Sequence, residues 1–203
     1  MPRISVSRYQ QGDLDSLCGA YAIVHAILVA TTNYRPGTVV RPPALPEIEE
    51  DGIRHIFAHL VLALAKTSLA DPLLNGISAR GLLRLLRAAS NWLAQRHGFA
   101  LSISRPYSKA RRVRRSSMMR LIREHLDRHG STVIVGARPP WDHWTVVRGV
   151  GRTRLSIVDS GNTFYVPIGR GRSSHNSHAG LIEPNCIFLL TLKPTRALKR
   201  EGM

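Results

Sequence analysis

Cysteine is scarce in this sequence. The 203 residues include two cysteines, Cys18 and Cys186, which lie far apart and in different sequence contexts. Secreted domains that depend on disulfides contain more cysteine than this, so a disulfide framework is excluded. Two cysteines also cannot complete a zinc site by themselves. A single thiol with a histidine far downstream is instead a candidate nucleophile.

Long apolar segments are missing as well. No run approaches the ~18 residues that a membrane-spanning helix needs. The first residues, MPRISVSRYQQGD, lack the apolar stretch of a secretory signal. The chain length and a hydrophobic content of 43% suit one packed domain. We therefore expect a single domain, 1–203, in a soluble cytoplasmic protein without a membrane span.

Acidic residues are few. Thirteen Asp and Glu against 29 Lys and Arg give a net charge of +16, which favours nucleic acid, an acidic protein or an anionic membrane surface as a partner. A basic loop is expected at 105–117, and we call its candidate contacts to an anionic partner the basic strip: Lys109, Arg111, Arg112, Arg114 and Arg115. A solvated, arginine-rich surface explains the charge equally well, because basic residues are spread along most of the chain.

The hydrophobic pattern predicts helices first and strands second. Helices are expected at about 17–30, 52–66, 78–97 and 117–129, and the first is apolar almost all round, as a buried helix is. Strands are expected at 132–137, 144–150, 155–159, 163–168 and 186–192, with a hairpin turn at 151–153. The proline-rich segment 35–51 is expected to be a loop at the rim of a cleft. This order predicts an α+β fold, with an N-terminal helical part packed on a C-terminal antiparallel sheet.

Cys18 opens the first predicted helix, in the segment QGDLDSLCGAYA. The positive end of the helix dipole favours the thiolate form of a cysteine at that position. Gly19 is expected to leave room for substrate beside the sulfur. The backbone N–H of Cys18 would donate to an oxyanion, and an upstream glutamine, Gln11 or Gln10, could supply a second donor.

His143 opens a predicted strand, in the segment WDHWTVVRGV. The next predicted strand ends in IVDSG, which contains Asp159. Because a short hairpin joins the two strands, their open ends meet, and Asp159 should lie near His143. A carboxylate there would fix the imidazole tautomer and orient the ring toward the thiol. Asn162 is a rival to Asp159 for this position.

The order of Gln, Cys-Gly at a helix start, His-Trp on a strand and Asp on the next strand resembles papain-like cysteine peptidases. The blocks LCGAYA and DHWTVVRGV…LSIVDSG are most similar to the bacterial peptidases related to those that remove double-glycine leaders from bacteriocins. The resemblance covers about the first thirty residues and residues 131–168. Two positions differ: Gly12 stands where the family usually has its glutamine, and Leu17 stands where the leader peptidases often have aspartate.

The resemblance implies a papain-like fold and a hydrolase that cleaves a peptide or isopeptide bond through a thioester. Cys18 would attack the carbonyl carbon. His143 would take the thiol proton and later protonate the leaving amine. Asp159 would orient His143, and Gln11 would stabilise the oxyanion. A protein or peptide is the implied substrate, and no cofactor is expected.

Other functions use the same residues or the same charge. A deamidase or an acyltransferase would share the thioester intermediate. A basic nucleic-acid-binding module would leave the Cys, His and Asp incidental. The pairs His55/His59 and His125/His129 have a spacing that metals use, but neither has the glutamate of a zinc protease. Both pairs are therefore predicted to be solvated helix flanks, and no metal is expected.

Overall fold

The described part of the chain folds into four helices and one sheet. The computed structural model describes residues 17–32, 50–66, 76–110, 113–137, 143–159, 165–167 and 182–195. The helices are α1 (Cys18–Thr32), α2 (Glu50–Ala65), α3 (Ala79–His97) and α4 (Arg115–Leu126). The strands are β1 (Phe99–Ser104), β2 (Ser131–Ala137), β3 (His143–Val150), β4 (Arg154–Val158), β5 (Tyr165–Pro167) and β6 (Ile182–Pro194).

The sheet is antiparallel throughout the described residues, with strand order β1-β6-β2-β3-β4-β5. The predicted α+β class and the predicted antiparallel sheet are therefore confirmed. The separation of helices from strands along the chain is less complete than expected. Strand β1 lies between α3 and α4 in sequence and pairs with β6 at the edge of the sheet.

Alternation along the strands divides the core into two layers. On β6, Phe188 and Leu190 join a cluster that contains α1, α2 and α3, whereas Ile187 and Leu189 join a cluster that contains α4. Successive side chains of a strand point to opposite faces, so the central strands are apolar on both sides. Each fully buried side chain of this size stabilises the fold by about 1.5–3 kcal/mol. One face of the sheet is thus covered by α1 and α3, on which α2 packs, and the other face by α4.

The limits of α3 follow from its capping residues. The Ser78 hydroxyl accepts a hydrogen bond from the Gly81 N–H at 3.2 Å, which satisfies a donor of the first turn. Gly98 ends the helix in the left-handed region, at φ 70°, where glycine has no Cβ penalty. The prediction for this helix is confirmed to within one residue.

Two predicted loops overlap helices of the structure. Arg115 already belongs to α4 and Arg114 is its N-cap residue, so the segment 105–117 is not a loop to its end. At the other segment, 35–51, the last two residues lie in α2, and 33–49 fall outside the described residues.

His125 corrects another prediction. It lies in α4 on the side that faces the sheet, is buried, and its Nε2–H donates to the Leu190 carbonyl at 2.9 Å. It is therefore a core histidine and not a solvated helix flank. His129 and His55 are exposed, and His59 is half-buried.

Among the described residues, no helix combines the length and the apolar character needed to span a membrane.

Candidate active site

Cys18 lies in the first turn of the most buried helix. The Leu17 carbonyl accepts hydrogen bonds from the N–H groups of Ala20 and Tyr21, at 2.8 and 3.2 Å, so helical hydrogen bonding starts immediately before Cys18. Helix α1 is buried almost all round and packs on β2 and β3. The cysteine is 6% exposed. Its thiol therefore sits at the positive end of a helix that tertiary packing holds in place.

The β3–β4 hairpin brings His143 to Asp159. The two strands are joined by a turn that the Gly151 N–H closes with a hydrogen bond to the Arg154 carbonyl, at 2.9 Å. In the resulting register Val146 lies opposite Val158, which leaves His143 and Asp159 at the open end of the hairpin. His143 Nε2 lies 2.6 Å from Asp159 Oδ1. The carboxylate is buried, and the imidazole keeps 20% of its side-chain surface exposed.

His143 also forms a hydrogen bond with the Cys18 side chain. Because Nε2 is engaged by Asp159, Nδ1 is the ring nitrogen left for the sulfur. Burial by itself would lower the pKa of His143. The hydrogen bonds to Asp159 and Cys18 and their negative charges outweigh burial and raise that pKa to about 10. The imidazolium is consequently the favoured form of His143 at neutral pH.

A thiol, an imidazole and a buried carboxylate in this order can generate a nucleophile. The ring is in hydrogen-bonding contact with the sulfur, so the proton that the imidazolium carries can be the one given up by the thiol, without a bridging water. The carboxylate on the opposite ring nitrogen holds one tautomer and stabilises the imidazolium that results. The structure thus brings together three of the four residues that the sequence proposes as catalytic.

The fourth, Gln11, lies outside the described residues, as do Gln10 and Asn162. Arg111 and Arg112 of the basic strip also lie outside them.

The described members of the basic strip are not on the Cys18 side of the sheet. Arg114 and Arg115 are exposed at the start of α4, which packs on the face opposite α1. Lys109 is exposed in the segment before that helix. These three described members are therefore separate from the thiol, and the role of the strip as an anionic contact stays a prediction.

Gly19 corrects the expectation of open space beside the sulfur. A Cβ at this position would lie 3.1 Å from Ile77 Cδ1 and 3.1 Å from Leu82 Cδ1. The absence of a side chain is therefore used for close packing between α1 and the start of α3. The segment 76–78 before α3 was not anticipated as part of the site, since a single isoleucine between turn residues has no periodic signal.

Within the part of the chain that the structure describes, no group of three or more His, Cys, Asp and Glu could hold a metal ion. Cys186 is buried, and its Sγ lies 3.2 Å from Glu183 Oε2.

Comparison with protein-family models, with curated proteins and with solved structures gives no match for this chain.

Proposed function

We propose that the chain is a cysteine hydrolase of papain-like fold that cleaves a peptide or isopeptide bond through a thioester. One observation carries the proposal: a single imidazole is hydrogen-bonded both to a thiol at a helix start and to a buried carboxylate. The relationship to double-glycine leader peptidases and the cytoplasmic location are parts of the same proposal.

The proposed reaction has two steps. His143 holds the proton that leaves the Cys18 thiol, and the thiolate attacks the carbonyl carbon of the substrate. As the C–N bond breaks, His143 gives that proton to the leaving amine, and a thioester remains on Cys18. A water molecule then attacks the thioester while His143 takes one of its protons. The C–S bond breaks, the carboxylic acid leaves, and the thiol is restored.

Asp159 and the oxyanion donors have separate roles in this reaction. Asp159 keeps the ring oriented and stabilises the imidazolium, since it contacts the nitrogen that does not face the sulfur. The backbone N–H of Cys18 and the side chain of Gln11 are the proposed donors to the oxyanion.

The burial of the Asp159 carboxylate favours an enzyme over a coincidental cluster. A buried charge needs a partner, and a buried ion pair that serves only stability is often replaceable by apolar side chains. The pairing with an imidazole at the end of a strand, directly in contact with a cysteine, is the arrangement that nucleophilic catalysis requires. The basic nucleic-acid-binding alternative uses none of these three residues.

Alkylation of the two cysteines tests the proposal. Cys18 and Cys186 are 6% and 9% exposed, so accessibility alone predicts similar slow reaction with iodoacetamide. Activation by His143 predicts faster labelling of Cys18 in the native protein, measured by peptide mass spectrometry. His143→Ala should bring the Cys18 rate down toward that of Cys186. Equal rates for the two cysteines in the native wild-type protein would contradict the proposed activation.

The products distinguish peptide or isopeptide cleavage from deamidation and acyl transfer, which pass through the same thioester. Cys18→Ala should abolish turnover and leave the fold intact, as judged by circular dichroism. With a peptide mixture as substrate, backbone scission supports the hydrolase. Conversion of a side-chain amide to an acid would identify a deamidase, and a new adduct would identify an acyltransferase. Either of these two products without scission would overturn the assignment of peptide or isopeptide cleavage.

A further inference from the structure

A cavity lies where three elements meet, away from Cys18, His143 and Asp159. It has a volume of about 660 Å³ and is lined by Thr32 at the end of α1, by Arg123 and residues 126–129 at and beyond the end of α4, and by residues 148–150 of β3. At roughly 3.3 Å per residue, Arg148 is roughly 16 Å along the strand from His143. The cavity is therefore distinct from the proposed catalytic site.

Positive charge dominates the walls. Arg123, Arg128 and Arg148 line the cavity and are exposed, and none of them makes an ion pair with a described residue. Among the described lining residues, Asp127 is the one acid. Three unpaired guanidinium groups around one concave space repel each other, and an anion placed between them would relieve that repulsion.

A β-bulge places Arg148 in this group. Strand β3 pairs with β4 through Val147 opposite Ile157 and then through Gly149 opposite Ser156, so Arg148 is an extra residue without a partner. Val147 and Val150 both join the α4-side cluster, although in a regular strand they would point to opposite faces. Bulges of this kind redirect side chains at functional sites. Arg148 thus lies at an irregularity of the ladder and also lines the cavity.

Helix stabilisation explains only part of this arrangement. Arg123 is in the last turn of α4, where a cation interacts favourably with the helix dipole. Arg128 lies directly after Asp127, the C-cap residue of α4, so the dipole of that helix favours it as well. Arg148 belongs to β3, and the dipole of α4 does not account for its position at the cavity.

We propose that this cavity binds a small ligand that carries several phosphate groups. Guanidinium groups match phosphate oxygens with paired hydrogen bonds, and the volume lies in the range of small-molecule sites. The described lining residues include no Phe, Tyr or Trp, so they offer no platform on which a base would stack. The recognised feature is accordingly the cluster of phosphates and not a nucleobase.

Calorimetric titration with sodium tripolyphosphate at constant ionic strength tests this site. The wild-type protein should bind the probe, and Arg123→Gln/Arg128→Gln/Arg148→Gln should weaken binding by more than about tenfold, because charge-assisted hydrogen bonds are lost. The charge-matched control is Arg80→Gln/Arg84→Gln/Arg87→Gln, on the exposed side of α3. It should change the affinity by less than about threefold, since only screened long-range attraction is removed.

Three results would overturn the proposal. One is the absence of binding heat together with the absence of thermal stabilisation of the wild-type protein by the probe. Another is an equal loss of affinity in both triple variants, which would assign binding to overall charge. If the cavity variant fails to fold, the single variant Arg148→Gln is compared with Arg152→Gln, which changes an exposed residue of the same hairpin. Equal affinity of these two single variants for the probe is the third result. Cysteine alkylation does not enter this test, so its outcome is independent of the proposed hydrolase.

Discussion

The indole N–H of Trp144 donates a hydrogen bond to the main-chain carbonyl of Ile77 at 2.5 Å. Trp144 follows His143 on β3, and Ile77 packs against Gly19, the residue after Cys18. A contact between distant parts of the chain thus ties the strand that carries the imidazole to the segment that packs beside the nucleophile. Both residues are buried, so this hydrogen bond is shielded from water.

Trp144→Phe should therefore destabilise the protein. The change leaves the Ile77 carbonyl buried without its donor, a loss that is typically about 1–3 kcal/mol. The free energy of unfolding in urea measures it. Trp92→Phe is the matched control, because Trp92 is only half-buried and its ring centroid lies 5.1 Å from that of His97. A larger loss for the Trp92 variant than for the Trp144 variant would contradict this role.

The pH dependence of stability should reflect the raised pKa of His143. The native state holds this proton up to about pH 10, whereas an unfolded histidine loses it near pH 6.5. The contribution of the protonated His143 ring to the free energy of unfolding is therefore complete below about pH 6.5 and is lost as the pH rises through about 10.

Asp159→Asn should lower the pKa of His143, because it removes the carboxylate charge that stabilises the imidazolium. NMR titration of the ring measures the shift directly. Between about pH 6.5 and 10, the difference in unfolding free energy between the wild type and this variant should shrink as the pH rises. If the ring titrates at the same pH in the variant as in the wild type, Asp159 does not raise the pKa of His143.

His125 should act with the opposite sign. Burial is the main cause that lowers its pKa, and the hydrogen bond to the Leu190 carbonyl only partly offsets burial. The unfolded state then binds the proton more readily, so the contribution of the neutral ring is lost as the pH falls below about 6.5. The difference in unfolding free energy between the wild type and His125→Gln should therefore decrease from pH 7 toward acid. A constant difference over that range would indicate that the ring does not titrate on unfolding.

Gly136→Ala should destabilise the sheet centre. An added Cβ would lie 2.8 Å from the Cys186 Cβ and 3.0 Å from Trp144 Cζ3, and both neighbours are buried. Overpacking of this kind costs about 1–3 kcal/mol, measured as the loss of unfolding free energy. Gly149→Ala is the control, because its nearest neighbour, the Ser156 Cβ, is 3.9 Å away. Similar losses for the two variants would rule out a steric cause at Gly136.

Local chemistry made much of the fold predictable. The limits of α3 depend on Ser78 and Gly98, which act within one turn of the helix ends. The meeting of His143 with Asp159 depends on one hairpin, whose turn and register are settled over a short stretch of chain. Strand β1 also has a local signal, because Phe99, Leu101 and Ile103 alternate with smaller or polar residues.

The sequence by itself determined the charge, the apolar character of α1 and the hairpin that joins the imidazole to its carboxylate. Only the tertiary structure decided that His143 contacts Cys18, that β6 lies between β1 and β2, and that Ile77 fills the space beside Gly19. These contacts join segments far apart in the chain. No helical or strand period encodes them, since they arise from how whole layers pack on one another.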